Sequence, residues 1–119
     1  MSPRQKEPTL TPSEVARYET LLPLFQSMHE DVTALSLKSQ SAVLSKSRIE
    51  MINRLLGDVK TLLAKEPTAS YLSTLDEAIV PQNADALLIF GQFKAALEQF
   101  KDKYTYLDDD EDQEVWRIK

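Results

Sequence analysis

His29 is the sole histidine of the chain, and it stands beside Glu30 and Asp31, which makes this stretch the first place to test for metal binding or acid/base work. Helical geometry argues against both. Adjacent residues point about 100° apart, whereas helices that bind metal place their ligands at i, i+3 or i, i+4, and neither Glu-x-x-His nor His-Glu-x-x-His occurs. His29 is therefore expected at the edge of an apolar seam. A hydrolase of ribonuclease type resting on Arg17 and His29 would need supporting polar groups that the sequence does not place. Asp108, Asp110 and Asp112 alternate like the first three ligands of a calcium loop. The position that requires glycine is Gln113, however, and the twelfth, which requires a bidentate Glu, is Lys119. No Gly-rich phosphate loop and no nucleophile elbow are present, and the absence of cysteine removes thiolate metal sites and disulfides. The residues thus imply no enzyme, no cofactor and no metal.

Charge is distributed unevenly over the 119 residues. Residues 1–35 hold three basic and five acidic groups (−2), residues 36–65 six and two (+4), and residues 66–119 five and twelve (−7). The basic third supplies a candidate phosphate-binding column of Lys46, Arg48, Arg54 and Lys60, extended by Lys38, with Ser41, Ser45 and Asn53 as polar support. The overall charge of −5 works against a nucleic acid partner. In the acidic third, Asp108, Asp109, Asp110, Glu111, Asp112 and Glu114 fill six of seven positions, a block expected to stay solvated and disordered. Yet Val115-Trp116-Arg117-Ile118-Lys119 alternates like a short strand, and a tryptophan is costly to leave in water. Three covers are open to Trp116: its own helices, a second copy, or a pocket on another protein. The acidic run is also expected to lie near Arg48, Arg54 and Lys60 and neutralise them.

The elements that must carry these groups are helical. Thr11-Pro-Ser-Glu14 is a capping box opening a helix over about 12–36, with Tyr18, Leu21, Phe25, Met28, Val32 and Leu35 as its seam. Pro23 should bend it or delay its start to about residue 21. The five serines of 36–47 place a break near Ser36 to Ser41, and a second helix follows from Val43 or Leu44 through Met51, Ile52, Leu55, Leu56, Val59, Leu62 and Leu63. Pro67 ends it. A short helix over about 69–78 is expected before Pro81, and then Asn83 or Asp85 caps a long helix with Ala86, Phe90, Phe93, Leu97, Phe100 and Tyr104 on one face. Gly91 inside that helix is tolerated most easily where another helix backbone comes close.

The expected fold is all-α: an up-and-down helical bundle of three long helices and one short helix, with an acidic C-terminal tail. Residues 1–10 form an N-terminal extension, 11–106 the helical bundle domain, and 107–119 the tail with its Trp anchor. No window is long and apolar enough to span a membrane, and the start has no apolar leader, so a cytoplasmic protein is expected. The expected function is a non-enzymatic protein-interaction module, an adaptor, inhibitor or antitoxin/immunity-like protein, whose acidic surface and tail engage another, basic, protein. A homodimer through the first and last helices is the structural alternative. The functional alternatives are a nucleic-acid-binding accessory protein acting through the basic second helix and a small hydrolase without a recognisable motif.

Overall fold

The computed structural model describes residues 7–119, so the first six residues of the expected N-terminal extension lie outside it. The described chain is mostly helical, with three α-helices and one small two-stranded sheet. Helix α1 spans Pro12–Lys38, α2 Lys46–Leu62 and α3 Asn83–Tyr104, followed by strands β1 Thr105–Asp108 and β2 Gln113–Trp116. No described helix is long and apolar enough to cross a membrane.

Helix α1 opens on the capping box: the Glu14 amide donates to Thr11 Oγ1 at 3.1 Å, and the Thr11 amide donates to Glu14 Oε1 at 3.0 Å. The helix starts at residue 12, where the capping box placed it, and runs on through Pro23, so the later start that Pro23 offered as one alternative is not seen. Pro23 and Glu19 are both exposed, so water can take the carbonyl that the proline leaves free. The C-terminal end is finished from outside. Asn83, 5% exposed, donates through Nδ2 to Ser39 O at 2.8 Å and Leu35 O at 3.3 Å. Asn83 therefore caps the end of α1 across the fold, while the start of α3 is held by the Gln82 amide donating to Asp85 Oδ2 at 2.8 Å.

Helix α2 begins at Lys46, later than Val43 or Leu44, because residues 42–44 are extended and paired. Leu44 N donates to Pro81 O and Asn83 N donates to Ala42 O, at 3.0 and 2.9 Å. Ser45 then caps α2 by accepting from Arg48 N at 3.2 Å. Inside α2, Met51 departs from the expected buried columns and is 61% exposed.

The short helix expected over 69–78 does not form. Two 3₁₀ turns, Pro67–Tyr71 and Glu77–Ile79, flank an extended stretch. Asn53 of α2 supplies the reason: its Nδ2 donates to Leu75 O and its Oδ1 accepts from Leu75 N, both at 2.8 Å. That pair claims the backbone groups a helix would have used, and it lets Leu72 and Leu75 both point inward at 5% exposure.

Contacts at the helix ends fix the path. Tyr18 stacks on Phe100 at 5.6 Å and Phe25 packs on Phe90 at 5.2 Å, so α1 and α3 are antiparallel. Arg17 near the start of α1 reaches Asp58 near the end of α2 at 3.9 Å, so α1 and α2 are antiparallel too. Helices α2 and α3 consequently run parallel. They start together at the 42–44 and 81–83 pairing, and near their ends Glu66 accepts from Tyr104 Oη at 2.8 Å and from Lys103 Nζ at 3.1 Å. Residues 63–82 cross back between them, which replaces strict up-and-down alternation with one long crossover. Phe25, Phe90, Phe93 and Phe100 centre the core, with Ile52, Leu56, Val59 and Leu63 from the α2 side.

The C-terminal stretch is a β-hairpin, not a disordered tail. Thr105 pairs with Trp116, Tyr106 with Val115, Leu107 with Glu114 and Asp108 with Gln113. Trp116 sets its ring edge-on to Tyr18 at 4.9 Å and tilted to Phe100 at 6.5 Å. Of the three covers open to it, the described chain supplies the first. Beyond it Arg117 N donates to Tyr104 O at 2.8 Å, and Arg117 Nη1 donates to Lys103 O at 2.9 Å, satisfying carbonyls at the end of α3. Leu10, 2% exposed, is gripped there as well: its amide donates to Arg117 O at 2.9 Å and its carbonyl accepts from Lys119 N at 2.8 Å.

Candidate functional site

The hairpin decides where the acidic block goes. Residues 109–112 form its turn, with Asp112 in the left-handed region at φ 53° and Asp110 N donating to Asp108 Oδ1 at 3.0 Å. Asp and Asn tolerate both features, a side chain that bonds its own backbone and a positive φ, so an aspartate-rich run can fold as a turn without burying charge. Asp109, Asp110, Glu111 and Asp112 are exposed, Asp108 is half-buried, and Glu114 on β2 is exposed. Among the described residues, the ion pair made by this block is Glu114 to Lys101 of α3, at 3.6 Å. Both partners are about half exposed, so the pair is worth little on its own.

The expected neutralisation of α2 is not what the described residues show. No ion pair among them joins the acidic run to Arg48, Arg54 or Lys60, because the hairpin follows α3 and folds onto the Tyr18 end of α1. The basic column divides as well. At 100° per residue Lys46, Arg54 and Lys60 share one side of α2, and Arg48 lies on another. There Arg48 shares a cleft of about 270 Å³ with Met28, Asp31 and Met51. Asn53 and Ser45, expected to support phosphate, are occupied by Leu75 and by the α2 cap.

His29 faces α3, stacked on Phe90 at 5.4 Å and tilted against Phe25 at 5.8 Å. Burial lowers its pKa below the ordinary histidine value, and Lys94 lowers it further against the opposing pull of Glu30. Arg17, in contrast, turns toward Asp58 of α2. The two residues are three turns apart and look at different helices, so they build no joint site. Among the described residues, no group of three His, Asp or Glu is placed to hold a metal ion.

One feature escaped the sequence reading. A groove of about 850 Å³ runs between α1 and α3, with Leu22, Ala34, Leu37 and Leu97 among its apolar lining and His29 on its wall. Its charged rim holds Glu30, Lys94, Glu98, Lys101, Asp102 and the hairpin's Glu114. Lys94 pairs with Glu98 at 4.0 Å and Lys101 with Glu114 at 3.6 Å, which leaves Glu30 and Asp102 without an ion pair among the described residues. The available signal was Leu22, Gln26, His29, Thr33 and Leu37, stepping by 4, 3, 4 and 4 beside the core seam. Leu37 stands 84% exposed.

Comparison with protein-family models, curated proteins and solved structures finds no match to this chain.

At the far end of α3, Glu66 has a side chain 7% exposed between Tyr104 and Lys103. Burial and then the Glu66 hydrogen bond hold the Tyr104 phenol above its ordinary pKa, and the same carboxylate raises that of Lys103. This triad ties the end of α2 to the end of α3. Its three groups are paired with one another.

Proposed function

We propose that this chain is a non-enzymatic protein-interaction module, a helical bundle that presents an acidic hairpin turn to a basic protein partner. The observation that supports it is the turn itself. Asp109, Asp110, Glu111 and Asp112 are exposed together on four consecutive residues, and no ion pair among the described residues uses them. The strands behind the turn are paired, and Trp116 and Arg117 anchor their base to α1 and α3. Carboxylates held this way are already ordered before binding, so little conformational entropy is lost on contact. A concentrated field of one sign also steers a partner of opposite sign and rejects like-charged ones. An adaptor, an inhibitor or an antitoxin/immunity-like protein could each work through such a turn. The divergence of Arg17 and His29 supports the non-enzymatic part of the reading.

The test compares the native chain with the fourfold variant Asp109→Asn, Asp110→Asn, Glu111→Gln, Asp112→Asn as baits in extract of the source cells. A basic protein retained by the native chain, released by salt and lost with the variant is the expected result. Identical captured proteins on the two baits would sink the reading.

A further inference from the structure

We infer that the groove between α1 and α3 receives a basic amphipathic helix of the partner protein, an assignment that rests on the interaction reading above and gives it a second contact surface. Its dimensions suit a helix. The lining residues of α1 run from Tyr18 to Leu37, about 28 Å of helix axis at 1.5 Å per residue, and those of α3 from Lys94 to Asp102, about 12 Å, so a partner helix of about five turns lies along α1 and meets α3 over about two of them. Its chemistry is layered in the same sense: Leu22, Ala34 and Leu97 lie along the trough, Leu37 stands exposed at its open end, and charges stand at its edges. A helix with apolar residues at i, i+3, i+4 and i+7 fills such a trough. The edge charges select the flanks of that helix. Both lysines of the rim are engaged with rim carboxylates, so among the described residues the rim charges without an ion pair are Glu30 and Asp102, and Glu114 leads directly into the acidic turn. An incoming helix therefore meets acid on both walls, from Glu30 on α1 and Asp102 on α3. Arg and Lys beside its apolar stripe complete those charges, whereas Glu there would stand unpaired against them.

The single tryptophan makes the test direct, because Trp116 lies against Tyr18 at the end of the groove. The probe is a helical peptide of Leu and Lys, about 18 residues long, with leucines on one stripe, and its control replaces each Lys by Glu. Titration into the full chain is followed by Trp116 emission and by backbone amide shifts. The expected result is saturable binding of the Leu/Lys peptide, with shifts along 18–37 and 94–102, and none with the Leu/Glu control. Ala34 is exposed on the groove lining, so Ala34→Arg leaves the core intact and should weaken binding about tenfold or more by placing a like charge in the trough. Shifts confined to residues 108–114, or equal affinity for Ala34→Arg, would overturn the groove assignment while leaving the acidic turn as the binding surface. Failure of the hairpin reading shows separately, as capture that survives the fourfold neutralisation.

Discussion

Replacing Gly91 by alanine should stabilise the protein, although the sequence suggested that this glycine makes room for another helix. An ideal Cβ built at Gly91 meets nothing within 4 Å, and the same holds at Gly57 in α2. Neither residue has a positive φ, so alanine fits both without strain. In a helix interior alanine is favoured over glycine by about 0.8–1.0 kcal/mol, much of it from entropy that the unfolded chain no longer has to lose. For 119 residues at about 2.1 cal/mol/K each, the unfolding entropy is about 0.25 kcal/mol/K, so one such substitution raises Tm by about 3–4 °C. The two glycines sit on different helices with no neighbour near either added methyl group, and the double variant should gain about 6–8 °C. Calorimetry, or helical circular dichroism on heating, measures this. An unchanged or lowered Tm for Gly91→Ala would refute the reasoning. It would mean that a second backbone does press on α3 in solution, as the alternative of a dimer through the first and last helices would require.

Asn53→Ala strips Leu75 of both its backbone partners in a partly buried site. It should cost about 2 kcal/mol, two hydrogen bonds at about 1 each, and raise amide exchange at residue 75; unchanged exchange there would count against the bracket. Trp116→Ala removes the packing of a half-buried indole on Tyr18 and Phe100, for a loss of about 2–3 kcal/mol, below the 3–5 typical of a fully buried one. Light scattering should give the same number of chains per particle for the intact chain and for one ending at Leu107, and a number that halves would make the tryptophan a clasp between copies. Because the folded pKa of His29 lies below 6.5, the unfolded chain binds its proton more tightly. The stability it contributes is present above pH 6.5 and is lost as pH falls from there through the folded value. Urea midpoints at about pH 7.5 and 5.5 should therefore differ less for His29→Gln than for the native protein, and an equal difference in both would remove His29 as the cause.

The helices were legible because their signals are local. Thr11-Pro-Ser-Glu14 announces a start through groups three residues apart, and the seams of α1 and α3 repeat within each turn. What was not legible depends on partners distant in sequence. The segment 69–78 has helical spacing, but Asn53, 22 residues earlier, takes the Leu75 backbone. Asn83 looks like an N-cap, yet its side chain closes α1, 44 residues back, at Ser39. Tertiary hydrogen bonds outweighed local preference at both positions, and no periodicity records them. The groove was hidden for a related reason. Leu22 and Leu37 register only as apolar residues off the seam until α3 is known to lie alongside.

Charge alone misread the C-terminal block. Six acidic side chains in seven residues repel one another, and by composition they favour disorder. The repulsion, however, acts against burial and not against every fold. A hairpin turn points its side chains into water, so the four acids from Asp109 to Asp112 keep their hydration while the flanking strands pair. The ordering is supplied downstream, by Trp116 on Tyr18 and Phe100 and by Arg117 on the carbonyls of α3. That division of labour explains why the acidic run is followed by Val115 and Trp116: strand pairing at the first and ring packing at the second hold the loop that the carboxylates could not hold themselves. It also separates the two charge poles, since the hairpin pairs with Lys101 of α3 and leaves Lys46, Arg54 and Lys60 to their own side of α2. An exposed acidic turn on a fixed base, kept apart from the basic side of α2, is the feature on which the proposed contact with a basic partner rests.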